Sequence, residues 1–87
     1  MEIFFMPYYV YILQSQKDKK YYIGETADVL SRLLFHNAGK QRSTRYRIPF
    51  IIVLVEEFET RGEALKREKQ IKDWKGGNAF KALLSGM

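Results

Sequence analysis

The chain has 87 residues, of which 46% are hydrophobic and 15% aromatic, and its formal net charge is +5. That is one domain's length, with enough apolar and aromatic surface to bury a thin core, and the basic balance suits a polyanionic partner. The absence of cysteine excludes disulfides, thiolate metal sites and thiol nucleophiles and points to the cytoplasm, while the longest wholly apolar run, Phe50–Val55, is too short to span a bilayer.

Residues 1–7 read as an N-terminal extension, with Met6 as an alternative start. Met1–Met6 has no basic residue and no small-residue cleavage site, so it is a poor signal peptide. Tyr8–Leu13 is rich in aromatic and β-branched residues and predicts a strand, with Tyr9, Tyr11 and Leu13 on one face and Tyr8, Val10 and Ile12 on the other. Ser15–Lys20 is polar and predicts a hairpin loop into a second strand, Tyr21–Gly24.

Thr26–Asn37 predicts a helix with Thr26 as N-cap and Val29, Leu30, Leu33 and Leu34 as its apolar face. Asn37, Ala38 and Gly39 are a stop signal. The segment Lys40–Arg47 carries four basic residues and no acid. Phe50–Val55 predicts a well-buried strand, and Glu56–Glu59 leads to the next helix. Thr60 and Glu63 match a capping box. That helix is expected to reach Trp74 or Lys75 and to end at Gly76 and Gly77, with Asn78 capping a last short helix, Ala79–Leu84. The order β-β-α-β-α-α implies an α/β chain of the α+β type: a small, mostly antiparallel three-stranded sheet flanked by helices. The whole of 1–87 reads as one domain with its core at about 8–75.

Glu68 is the most informative side chain. On a helical wheel Ala64, Leu65 and Ile71 mark the inward face, and Glu68 falls between them. An inward carboxylate must be paired, protonated or bound to a cation. It is either an ion-pair partner of a core-edge arginine, a long side chain reaching round to water, or a ligand for Mg²⁺ or Mn²⁺, which favour oxygen donors. Arg32 and His36 lie one helical turn apart, together at the edge of the first helix's apolar face. Arg32 either pairs with Asp28 or offers a guanidinium to a phosphate. His36 is either a structural histidine or a functional one. Lys40, Arg42, Arg45 and Arg47 form either a solvated loop or a set of phosphate contacts. Gly24 serves the turn from strand to helix or a close approach to a ligand. No glycine-rich phosphate loop, Ser-His-Asp set or zinc spacing is present.

Tyr9-Val10-Tyr11, ten residues, then Tyr22-Ile23-Gly24 resembles the two-part signature of the GIY-YIG nucleases. The run Thr26–Leu33 followed by His36-Asn37 resembles that family's first helix, and Glu63-Ala64-Leu65 with Glu68 resembles its second. The match covers about Tyr8 to Trp74 and looks most like the small stand-alone members. The resemblance implies cleavage of DNA phosphodiesters with one divalent cation, Mg²⁺ or Mn²⁺. It implies Tyr11 as general base or water-positioning group and Tyr22 as a holder of water and phosphate. It also implies Arg32 as the stabiliser of phosphate charge, His36 as an auxiliary polar group and Glu68 as the metal ligand. Tyr9 stands where the family's first glycine does, and Glu25 where some active members carry lysine. A weakly active DNA-binding module on the same fold, or a subunit given specificity by a protein partner, are the alternatives to a DNA endonuclease.

Overall fold

The computed structural model describes residues 6–86; of the expected N-terminal extension, residues 1–5 lie outside the described residues. Three strands and three helices follow in order: β1 Tyr8–Ser15, β2 Tyr21–Thr26, α1 Val29–Asn37, β3 Phe50–Phe58, α2 Arg61–Trp74 and α3 Asn78–Leu84. A 3-10 turn, Arg45–Arg47, sits in the loop before β3. The strands form one antiparallel sheet in the order β2-β1-β3. This is the expected α+β architecture. Among the described residues no helix is long and apolar enough to cross a membrane.

β1 is the central strand, so it is buried on both faces: Val10, Tyr11, Ile12 and Leu13 are all at most 1% exposed. Alternation sends Val10 and Ile12 to one side, where they pack with Ile23, Ala64, Ile71 and Phe80 beneath α2 and α3. It sends Tyr11 and Leu13 to the other, where they meet Phe50, Val29 and Leu33 beneath α1. The result is three layers, with α1 on one face and α2 and α3 on the other. Each fully buried aliphatic side chain contributes about 1.5–3 kcal/mol.

Several boundaries differ from the sequence reading. α1 starts at Val29 and its N-cap is Asp28, not Thr26, which closes β2 instead. The Asp28 carboxylate accepts from the Ser31 amide at 3.1 Å, a bond Thr26 is too far upstream to make. Leu30 and Leu34 are each 62% exposed, because a single helix on a three-stranded sheet needs only a narrow stripe, and Val29 and Leu33 fill it. β3 continues through Glu56 and Glu57 to Phe58. It is an edge strand, not a wholly buried one, and Ile51, Ile52 and Val55 are exposed. Its pairing with β1 slips between Ile12 and Leu13, so that Ile12 faces Leu54, Leu13 faces Ile52, and Val53 is an extra residue. α2 follows its capping box, with the Thr60 hydroxyl accepting from the Glu63 amide at 3.2 Å. Leu65 is exposed, while Ala64 and Ile71 are buried. α3 is capped by Gly77, and Asn78 is its first residue.

Candidate active site

β1 and β2 place Tyr11 opposite Gly24. A methyl group on Gly24 would lie 2.5 Å from the Tyr11 hydroxyl. The phenol therefore lies flat across β2, and only glycine leaves room for it. One position before Ile23, Tyr22 lies on the same face of the sheet as Tyr11, with the two rings 6.3 Å apart.

α1 adds His36, which is fully buried rather than at a helix edge. Its ring packs 4.6 Å from that of Tyr22. Its Nε2 is 3.4 Å from the Tyr11 hydroxyl and its Nδ1 is 3.0 Å from the Thr44 hydroxyl. Thr44 has a carbonyl acceptor for its own proton, Gln41 O at 3.4 Å. Its oxygen is then the acceptor for Nδ1–H, which leaves Nε2 as an acceptor facing Tyr11. Burial first, then the nearby Arg32 charge, pushes His36 below its ordinary value, so the ring is neutral near pH 7.

Burial is also the main reason that the Tyr11 phenol is pushed up. The Arg32 guanidinium pulls the other way, and Tyr22 and the Glu68 charge add to the rise. Asp28 is occupied by its cap, where the Ser31 amide and hydroxyl hold its carboxyl below the usual range. Arg32 consequently turns elsewhere: its guanidinium lies 4.5 Å above the Phe35 ring and donates to the Gln41 side chain at 3.5 Å. Gln41 in turn donates to the Tyr22 hydroxyl at 3.3 Å. Arg32 also lines a cavity of about 440 Å³ at the end of β2, together with Glu25 and Arg61.

Glu68 arrives from the other layer. α2 runs along β2, tied at its start by the Arg61–Glu25 ion pair (3.2 Å) and just past its end by Lys75, whose ammonium donates to the Tyr21 carbonyl at 2.7 Å. In sequence Glu68 lies midway along α2 between these ties. Its side chain is 19% exposed and its ion-pair partner is Lys72, one turn on at 3.6 Å. By contrast, Glu56 is clamped by Arg67 through two bonds of 2.7 and 3.0 Å. Glu68 therefore keeps lone pairs for a cation. Among the described residues no cluster of three or more metal-ligating side chains occurs; a single carboxylate suits an ion that keeps most of its water, as Mg²⁺ does.

The structure thus brings Tyr11, Tyr22, Arg32 and His36 into one network, with Glu68 in electrostatic reach. It separates the basic loop. Lys40 and Arg42 are exposed. Arg45 is exposed but stacked on the Tyr46 ring at 4.8 Å. Arg47 is committed to the fold: it pairs with Asp18 at 3.1 Å and lies 5.5 Å from the Phe50 ring. Gln41 and Thr44 were not singled out by sequence, and Asn37 was read only as part of the helix stop and of the first-helix match. Asn37 both donates to Phe50 O (3.1 Å) and accepts from Phe50 N (2.7 Å), fastening α1 to β3. Gln41 and Thr44 were hidden by the basic residues around them; Ser43 and Tyr46 are also uncharged hydrogen-bonding side chains in that segment, so no local signal set the two apart.

The chain matches the family model described as the GIY-YIG catalytic domain over residues 7–81. It belongs to the GIY-YIG family. It is 42% identical over 66 residues to a UPF0213 protein of Staphylococcus haemolyticus, covering 75% of this chain and 79% of that one. A UPF0213 protein of Staphylococcus saprophyticus is 36% identical over 80 residues, covering 91% of this chain and 96% of the relative. The solution NMR structure of a UPF0213 protein from Bacillus halodurans superposes with a TM-score of 0.59 at 36% identity, covering 92% of this chain and 84% of that one. Membership in this nuclease family gives the network a substrate class, nucleic acid.

Proposed function

We propose that this GIY-YIG domain is a metal-dependent DNA endonuclease of the cytoplasm, structure-selective or weakly specific, that hydrolyses phosphodiester bonds. The observation that carries the reading is the Tyr11–His36–Thr44 chain of polar contacts with Arg32 and Glu68 beside it. A divalent cation held by Glu68 would supply electrostatic stabilisation of the scissile phosphate and leaving oxygen. Tyr11 and Tyr22 position a water. As the water oxygen attacks phosphorus and the P–O bond to the leaving oxygen breaks, the water's proton passes to the Tyr11 oxygen and the phenol's own proton to His36 Nε2. His36 can accept it because burial keeps the ring neutral. Arg32 neutralises the charge that grows on the phosphate. Lys40, Arg42 and Arg45 add sequence-independent phosphate attraction. Glu25, an acid that would repel phosphate on its own, is neutralised by Arg61.

The test is cleavage of flap, branched, single-stranded and double-stranded DNA with Mg²⁺ or Mn²⁺, run beside Glu68→Gln. Gln keeps the shape and loses the charge, so the single-turnover rate should fall by at least about a hundredfold. The melting temperature should hold or rise, because the carboxylate's remaining partner, Lys72, is a surface pair of small value. Normal cleavage with an early melt would make Glu68 a structural partner. No cleavage by the unaltered chain on any substrate would leave a DNA-binding module, or a subunit that takes its specificity from a protein partner.

A further inference from the structure

The larger cavity lies away from the tyrosine–histidine network. It measures about 580 Å³ and opens between the β1–β2 loop and α3. Its floor is apolar and aromatic: Tyr21 meets Phe80 edge-on at 5.2 Å, and Leu84 lies beside them. Its rim is cationic: Lys19, Lys20, Arg47, Lys75 and Lys81 face one carboxylate, Asp18. That carboxylate is already engaged by the Lys20 amide at 2.9 Å and by Arg47 at 3.1 Å. The cations are crowded as well as numerous. Lys75 is pushed below its ordinary value by burial, then by the charges of Arg47, Lys72 and Lys20. An anion would relieve that repulsion.

We infer that this cavity is a nucleotide subsite, which takes the phosphate of an unpaired flanking nucleotide on its lysines and the base against Tyr21. Both halves of the wall decide the ligand class. Inorganic phosphate would use the rim and leave the aromatic floor wetted, and an acidic peptide would bring charge without a flat ring. A nucleotide satisfies both, and a stacking ring beside cations is how single strands are bound without sequence choice. The volume is in the range of sites for molecules of that size. The position fits one strand serving both places. Tyr21 opens β2 three residues before Gly24, over which the Tyr11 hydroxyl lies. That is about 10 Å along the strand, or roughly three phosphate steps of a stacked strand. Tyr21 faces α2 and α3 whereas Tyr11 and Tyr22 face α1, and β2 is an outer strand, so a strand serving both places would round the edge of β2. The inference rests on the nuclease reading and extends it: the domain would hold its substrate a few nucleotides from the cut, by an unpaired stretch.

The experiment is NMR titration of the full chain, in chelator and without added metal, with a deoxyadenosine tetranucleotide and separately with inorganic phosphate. The tetranucleotide should shift the ring resonances of Tyr21 and Phe80 and the Lys75 side chain. Lys20→Ala with Lys81→Ala should weaken its binding and lower the salt-dependence slope by about 0.7, the value of one phosphate on a single strand. Should the double variant fail to fold, Lys81→Glu alone, on an exposed position of α3, should give the same direction. Phosphate producing the same shifts as the tetranucleotide would overturn the nucleotide assignment. So would a tetranucleotide that perturbs Tyr22 and His36 alone, an outcome that leaves the nuclease reading standing. A response at Tyr21 and Phe80 from a chain that cleaves nothing would support the subsite and sink the nuclease reading.

Discussion

Toward α2 and α3 the central strand presents Val10 and Ile12 to Ile23, Ala64, Ile71 and Phe80, a cluster with no polar side chain. Toward α1 the same strand presents Tyr11 to Tyr22, His36 and, through them, Thr44, Gln41 and Arg32. Both faces are equally buried at β1, yet one gains stability from simple transfer of apolar surface. The other must satisfy each hydroxyl and ring nitrogen or lose several kcal/mol by desolvation. Every buried side-chain nitrogen and oxygen among the described residues does have a partner. The contrast teaches a division of labour across one strand: alternation lets an 87-residue chain keep a dry wall for folding and a polar wall for function.

The sharpest way to break this division is from the dry side. Ile71→Ala removes a fully buried side chain and should cost about 2–5 kcal/mol in urea unfolding. Cleavage per folded molecule should stay near that of the parent; a loss of rate as large as that of Glu68→Gln would mean that the faces are not separable. Next comes Gly24→Ala. Its new methyl would sit 2.5 Å from the Tyr11 hydroxyl and 2.6 Å from Cζ, and Tyr11 is too tightly enclosed to swing aside. Overpacking should cost about 1–3 kcal/mol, and cleavage should drop beyond what the stability loss explains. Retained activity would show that the phenol's placement over β2 is dispensable.

Thr44→Val keeps the shape at the end of the chain of contacts and removes the acceptor for His36 Nδ1. An unpaired buried donor should cost about 1–3 kcal/mol, and Thr44→Ser should restore most of it. A neutral result would remove Thr44 from the network.

The smallest effect is one of pH. His36 has an ordinary value of 6.5 and lies below it in the folded chain. The unfolded chain therefore binds the proton first, and stability falls as pH drops below about 6.5, levelling once the folded ring also protonates. Urea midpoints at several pH values between about 5 and 8 should show this slope in the parent and lose it in His36→Gln. An unchanged slope would assign it to another group.

Much of this was legible in the sequence where a feature depends on neighbours in the chain. The strand alternation of β1, the capping box of α2 and the order of elements follow from local pattern. Tyr11, Tyr22, Arg32 and His36 were picked out as residues, and Glu68 as an off-pattern carboxylate. What the pattern could not supply was context set by distant segments. The apolar run of β3 reads as core, but its place at the sheet edge is decided by which strand sits in the middle. His36 reads as an edge residue, but the loop bearing Thr44 closes over it. Arg47 reads as one of four equivalent cations, but Asp18, 29 residues away, claims it.

The extra residue at Val53 has a consequence for how molecules of this chain treat one another. Phe50–Val55 is an apolar six-residue run on an outer strand, with Ile51, Ile52 and Val55 exposed. Left flat, such an edge is a template on which a second chain could zip, strand to strand, into a growing stack. The slip between Ile12 and Leu13 twists the row out of flatness and puts its open amides and carbonyls out of step with any regular partner. Glu57, exposed, continues the strand with charge, so a neighbour would meet a kink first and then a carboxylate. The bulge is thus a safeguard against edge-to-edge association written into the outer strand that carries the chain's longest apolar run.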